Sequence, residues 1–185
     1  MQSMPIQFTL GCDINEFRQY YESINLKLTG LEIKIIKQDP EHLIVWRENN
    51  MIVGHALWHE ASTDEHRKGD PRDQEDREIL RRLFDGQAEL VELHEVWLKK
   101  EHRGKGYGNQ FFEALMRQKK HPRIAYYAYH PAALRICRNR GYKEACCLQQ
   151  PGVERNIETT HVFRISLQTD RFRFRNEEKL KQEKQ

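Results

Sequence analysis

Three glycines alternate with basic and aromatic side chains in the run Arg103-Gly104-Lys105-Gly106-Tyr107-Gly108. Glycine has no Cβ, so such a backbone can take positive φ and bring its N–H groups close to a ligand. An amphipathic pattern follows at once, with Tyr107, Phe111 and Leu115 on one stripe and Gly108, Phe112 and Met116 on the next. The first turn of a helix leaves N–H donors without intrahelical partners, and its dipole favours negative charge there. Arg103 and Lys105 add two cations. The run therefore implies a phosphate or pyrophosphate site, against the plainer reading of a basic surface turn.

Spacing excludes two familiar phosphate loops. A P-loop requires a hydroxyl residue after its lysine, and Lys105 is followed by Gly106. A dinucleotide fingerprint requires glycine at the sixth position and an acid about twenty residues on. Counted from Gly104, the sixth position is Asn109, and Ala125 to Tyr129 carry no acid.

The elements that must hold this loop are a strand before it and a helix after it. Leu90 to Leu98 is an apolar run with β-branched members, which reads as the strand. The loop fits the pattern Arg/Gln-x-x-Gly-x-Gly/Ala, with Val96-Trp97-Leu98 ahead of it. Downstream come Ile124 to Tyr129 and then Pro131 to Tyr142, carrying Ala133, Ile136, Arg138, Gly141 and Tyr142. On these residues the chain resembles the Gcn5-related N-acetyltransferase (GNAT) superfamily over about 88–145, and by order of elements over the remainder. The resemblance implies an α/β fold with a mixed, splayed six- to seven-stranded sheet flanked by helices in a single domain. That domain would occupy 1–175, with 60–87 as a charged insertion between the third and fourth strands and 176–185 as a charged tail. It also implies acetyl-CoA as co-substrate, no metal, and transfer of the acetyl group to a primary amine by direct attack in a ternary complex.

Site residues follow from the same resemblance. The amides of Gly104, Lys105, Gly106, Tyr107 and Gly108 would hold the pyrophosphate, with Arg103 and Lys105 nearby. The backbone of Val96 and Leu98 would pair with the pantetheine arm, and the Val96 amide would face the thioester carbonyl. An alkylammonium is not a nucleophile, so a base must take its proton. Period-two alternation puts Glu92, His94, Val96 and Leu98 on one face of the strand. Glu92 lies eleven residues before Arg103, where histone-acetylating relatives carry their catalytic glutamate. His94 lies nine before it, where arylalkylamine-acetylating relatives have an active-site histidine. The alternatives are that Glu92 only binds a cationic acceptor and that His94 is a hydrogen-bonded core group. Glu95 faces the other way and reads as structural. Cys137 stands where many relatives place a tyrosine acid; it is either that acid or an apolar filler, with Tyr126, Tyr127 and Tyr129 as other proton donors. The missing tyrosine sustains a second reading, a catalytically silent CoA-binding or regulatory module.

Length and composition agree with one globular unit. A chain of 185 residues can bury a sizeable core, and a net charge of +3 does not argue for a nucleic-acid or membrane partner. Cys12, Cys137, Cys146 and Cys147 form no disulfide framework, so the expectation is a reducing cytoplasm, with a homodimer left open. Arg171-Phe172-Arg173-Phe174-Arg175 interleaves charge and aromatics as single-stranded RNA readers do, but an edge strand over apolar surface fits so small a net charge better.

In chain order, Ile6 to Leu10 reads as a strand, and Asp13 with Glu16 as the start of a helix carrying Phe17, Tyr20, Ile24 and Leu28. Gly30 is expected to end that helix. Residues 31–40 fit either a strand or the family's second helix. Leu43 to Arg47 and Met51 to His59 read as a hairpin turning at Glu48-Asn49-Asn50. Gly54 implies a bulge or a close backbone approach, and His55 and His59 read as polar-face histidines rather than metal ligands. Residues 60–78 read as a solvated loop, and Ile79, Leu80, Leu83 and Phe84 as a short helix stopped by Asp85-Gly86. Whether this insertion is a substrate-side flap or a surface elaboration is open. Tyr142 to Leu148 and Thr159 to Leu167 supply the last two strands, turning at Gln149 to Gly152, with Cys146 and Cys147 on opposite faces.

Overall fold

The computed structural model describes residues 6–64, 74–118, 123–149 and 159–165, without the side chains of Met116, Gln118 and 146–149. Seven strands and five α-helices are found among them: β1 Gln7–Leu10, α1 Ile14–Ser23, α2 Gly30–Gln38, β2 Leu43–Glu48, β3 Met51–Ser62, α3 Gln74–Leu83, β4 Glu89–Leu98, α4 Tyr107–Gln118, β5 Ile124–Ala128, α5 Pro131–Asn139, β6 Lys143–Gln149 and β7 Thr159–Ile165. The strands form one sheet in the order β1-β2-β3-β4-β5-β7-β6. The β1/β2, β2/β3, β5/β7 and β6/β7 pairs are antiparallel. Sheet neighbours β4 and β5 are joined by the crossover helix α4, the connection that parallel strands require, so the sheet is mixed. Among the described residues, no helix is long and apolar enough to cross a membrane.

Two compact units make up the chain: Met1–His59 with Leu93–Gln118, and Glu60–Glu92 with Lys119–Gln185. In the first, α1 starts where Asp13 accepts hydrogen bonds from the N–H groups of Asn15 and Glu16. It ends at Ser23, earlier than the sequence suggests. Gly30 does not end α1; it opens α2, which answers the strand-or-helix ambiguity. The cause is a capping box in which the Thr29 side chain and Glu32 satisfy each other's backbone donors. Phe17, Tyr20 and Tyr21 of α1 and Ile35 and Ile36 of α2 pack on Leu43, Val45, Ile52 and Leu57 of the hairpin. Trp46, next to Val45 and so on the opposite face of β2, stacks on Phe111 of α4 with ring centroids 4.8 Å apart.

The hairpin turns at Asn49 and Asn50, whose φ of 50° and 64° suit the right-handed twist of the flanking strands. Gly54 is a close approach: a Cβ there would lie 2.7 Å from the carbonyl oxygen of Trp97 and 2.9 Å from the Trp46 ring. The pairing of β2 with β3 also shifts register between Trp46 and Arg47, as a bulge does.

In the second unit, α3 begins five residues before the expected Ile79. Ile79, Leu80, Leu83 and Phe84 are buried with Leu90, Ala125 and Val162, so the insertion's helix is part of a hydrophobic core rather than a surface elaboration. Tyr127 donates to Asp76 Oδ1 at 2.6 Å, and Arg164 donates to the Leu83 carbonyl at 3.0 Å and to Asp85 Oδ2 at 2.5 Å. Positive φ at Asp85 and Gly86 stops the helix where the sequence indicated. The Gln150 to Gly152 part of the last turn, the Arg171 to Arg175 repeat and the 176–185 tail lie outside the described residues, as do the side chains of Cys146 and Cys147.

Candidate active site

Strand β4 carries the acid–base candidates into the glycine loop. Its burial does not alternate: Leu90, Val91, Glu92 and Leu93 are all buried, His94 is exposed, and Glu95 to Leu98 are half-buried. A strand covered on both faces loses the period-two signature, which is why alternation alone is a poor guide here. Glu92 is 8 % exposed, two residues before His94 on the same strand.

Glu32 and His59, on other elements of its unit, lie near His94. Its Nε2 is 3.7 Å from Glu32 Oε1 on α2, and its ring centroid is 5.9 Å from that of His59 on β3. Glu32 is itself buried, and its other oxygen, Oε2, accepts the Thr29 N–H at 2.8 Å. Sequence reading missed Glu32, although Thr-x-x-Glu at 29–32 is the capping-box signature.

His55 and His59, expected on a polar face, are instead both buried. His55 is fully buried, with the Tyr20 hydroxyl 3.0 Å from Nδ1 and Glu95 Oε2 3.2 Å from Nε2. The second contact is an ion-pair approach rather than an aligned hydrogen bond. Glu95 also accepts from the Tyr21 hydroxyl at 2.9 and 3.1 Å. Burial opposes ionisation of Glu95, but the His55 imidazole and the Tyr21 phenol outweigh it and hold the carboxyl below its usual range. Burial and the Glu95 charge push both tyrosine hydroxyls up.

A short 3₁₀ turn, Lys100–His102, links β4 to the loop. The Lys99 N–H donates to the Val53 carbonyl at 2.8 Å, and His102 Nδ1 lies 3.5 Å from Glu48 Oε2, so the turn is fastened to the hairpin. Gly104 and Gly106 have φ of 78° and 81°, the left-handed region, and a Cβ on either would meet nothing within 4 Å. Those two glycines are thus required by conformation and border open space. Immediately beyond, α4 starts at Tyr107, and the N–H groups of Asn109 and Gln110 bond back to the Gly106 carbonyl. Gly108 falls in the first helical turn.

Arg103 and Lys105 are exposed. Arg103 is not loose: Nε donates to the Leu98 carbonyl at 2.8 Å, and the guanidinium lies 5.2 Å from the Trp97 ring centroid. Its terminal nitrogens are thereby presented at the end of β4. Val96 and Leu98 stand half-buried on that strand just before the turn. Two left-handed glycines, a helix N-terminus and two exposed cations follow one another here, an arrangement that can hold an anion.

The remaining candidates belong to the second unit. Cys137 is fully buried on α5, and burial pushes its thiol up to about 12. Tyr126 is buried and its hydroxyl likewise pushed up by burial; Tyr127 is engaged by Asp76; Tyr129 is exposed.

The model of the Acetyltransferase (GNAT) family matches residues 13–142. No curated protein matches. Among solved structures, the fold is similar to Arabidopsis thaliana Naa50 in complex with a bisubstrate analogue, CoA-Ac-MVNAL (TM-score 0.61, 11 % identity, 89 % of this chain and 100 % of that one). A polyamine N-acetyltransferase of Drosophila melanogaster that forms N-acetylagmatine is similar too (TM-score 0.60, 11 % identity, 88 % and 100 %), as is Ard1 from Thermoplasma volcanium (TM-score 0.60, 11 % identity, 88 % and 98 %). The chain belongs to the GNAT family of acetyltransferases.

Proposed function

We propose that the protein transfers an acetyl group from acetyl-CoA to a primary amine by direct attack in a ternary complex. The observation that carries this is the pair of left-handed glycines, Gly104 and Gly106, bordering open space at the N-terminus of α4. A diphosphate there accepts hydrogen bonds from main-chain N–H groups of Gly104 to Gly108, with Arg103 and Lys105 supplying positive charge. The backbone of Val96 and Leu98 receives the pantetheine arm, and the Val96 N–H stabilises the oxyanion that develops on the thioester carbonyl.

Glu92 or His94 takes the proton from the ammonium, directly or through a water, and the neutral nitrogen attacks the carbonyl carbon. The new C–N bond forms, the C–S bond breaks, and the departing thiolate takes a proton. Cys137 is a poor source for it: a thiol with so high a pKa in a closed core suits packing, and water or a tyrosine suits the proton transfer better. Of the proteins of similar fold, one is bound to the bisubstrate analogue CoA-Ac-MVNAL and another forms N-acetylagmatine. The acceptor class proposed for this chain is therefore a primary amine, and the cell compartment proposed is the cytoplasm.

The test is release of free CoA after mixing the protein and acetyl-CoA with a panel of peptides, polyamines and arylalkylamines. Turnover with one class is expected, with a loss of roughly a hundredfold or more in kcat for Glu92→Gln or His94→Ala, the size of a general-base contribution. Binding of acetyl-CoA by calorimetry without turnover of any amine would instead support a silent CoA-binding module, which the absent fourth-helix tyrosine favours.

A further inference from the structure

We propose that Glu32 is a positioning residue for His94: its carboxylate fixes which ring nitrogen of His94 carries the hydrogen, and ties that choice to the N-terminal cap of α2. This rests on the reading of His94 as part of the acetyl-transfer site.

The two oxygens of Glu32 have separate tasks. Oε2 accepts the N–H of Thr29 and also the Thr29 hydroxyl, completing the capping box. Oε1 is turned to Nε2 of His94 at 3.7 Å. That is ion-pair distance, and contacts of this kind at catalytic centres shorten when substrate closes the site. A carboxylate only accepts, so the nitrogen facing it carries the hydrogen, and Nδ1 is left as the lone-pair nitrogen. Glu32 can set this choice because it is itself buried and held by the cap. The other ionisable groups about His94 are His59 on β3, whose ring lies at 57° to it, Glu92 two residues upstream, and Glu95, whose charge is coupled to His94.

The proposal separates cleanly from a capping role, because a capping box accepts glutamine as well as glutamate. In Glu32→Gln the amide oxygen takes the Thr29 N–H, and the amide NH₂ turns to His94 as a donor. The helix stays capped while the signal to the ring is reversed.

Side-chain ¹⁵N spectra of the full chain, with His94→Ala to assign the ring, read the tautomer directly. Wild type is expected to hold the Nε2–H form of neutral His94, and Glu32→Gln to shift it to Nδ1–H, with a melting temperature close to wild type. The same tautomer in both proteins overturns the proposal. With an amine that turns over, Glu32→Gln is expected to lower kcat about tenfold, the usual cost of losing an orienting partner, with KM for acetyl-CoA unchanged. In a His94→Ala background that loss is expected to vanish, and an equal loss in both backgrounds also overturns it. Absence of turnover with every amine defeats the acetyl-transfer reading instead, and the ring spectra still decide the role of Glu32.

Discussion

His55 Nε2 lies 3.2 Å from Glu95 Oε2, an imidazole with no exposed surface set against a carboxylate that α1 also grips through Tyr21. The pair joins β3 to β4 one residue beyond His94, so its rigidity bears on the candidate site. A buried acceptor that loses its charge leaves its donors under-satisfied, and Glu95→Gln is expected to cost about 2 kcal/mol, roughly 4–8 °C in melting temperature. The sign with pH follows from the direction of the shift. Glu95 is held below its ordinary 4.5, so its contribution is complete above that pH and disappears as pH falls through the lower folded-state value. The stability gap between wild type and Glu95→Gln, measured by urea titration, should therefore be constant from pH 5 to 7 and close below pH 4.5. A gap that widens on acidification would contradict the assignment.

Gly106 separates strain from ligand chemistry. At φ of 81° with open space beyond the missing Cβ, Gly106→Ala should cost about 1–2 kcal/mol of stability from backbone strain and leave room for a diphosphate. Gly106→Glu carries the same strain and adds bulk and negative charge to the cradle. Calorimetry with CoA should show modest weakening in the first and no binding in the second, with both proteins folded. Equal affinity in Gly106→Glu and wild type would remove the loop from the cofactor site.

Cys137 provides a test by reactivity. Its thiol, raised from 9.0 to about 12, should react with iodoacetamide at pH 8 roughly a thousandfold more slowly in the folded chain than after denaturation, since the thiolate is the nucleophile. A proton held more tightly when folded contributes stability that is complete below pH 9 and is lost as pH rises toward about 12. Cys137→Ala should lower the melting temperature and leave kcat within about twofold. A large drop in kcat at unchanged stability would make this thiol the acid that protonates the leaving group.

The loop and its flanks were legible because glycine, charge and helical periodicity are local signals. The helix start at Asp13, the asparagine turn at 49–50 and the stop at Asp85-Gly86 were readable for the same reason. Gly30 misled because glycine ends helices more often than it begins them, and the deciding residue, Glu32, acts across one turn to Thr29. The burial of strand β4 was not legible, since cover along 90–93 erases the polar side that an exposed strand would show. Glu32 beside His94 and Glu95 beside His55 join residues more than 35 positions apart in the chain, and no spacing rule reaches across that distance.

The insertion after β3 is best tested through Leu80, which has no exposed surface and packs with Leu90, Ala125 and Val162. A lid over the acceptor would shed a methyl-bearing side chain at little cost to stability and would register in KM. A core helix behaves otherwise: Leu80→Ala removes buried methyl groups and leaves a cavity, a loss of about 2–5 kcal/mol. The side of α3 that carries Arg81 and Arg82 is exposed, so Arg82→Ala serves as the control and should change the melting temperature by little. Denaturant unfolding of the two variants alongside wild type discriminates. A stable Leu80→Ala with an altered KM for the amine would return the segment to the role of a flap.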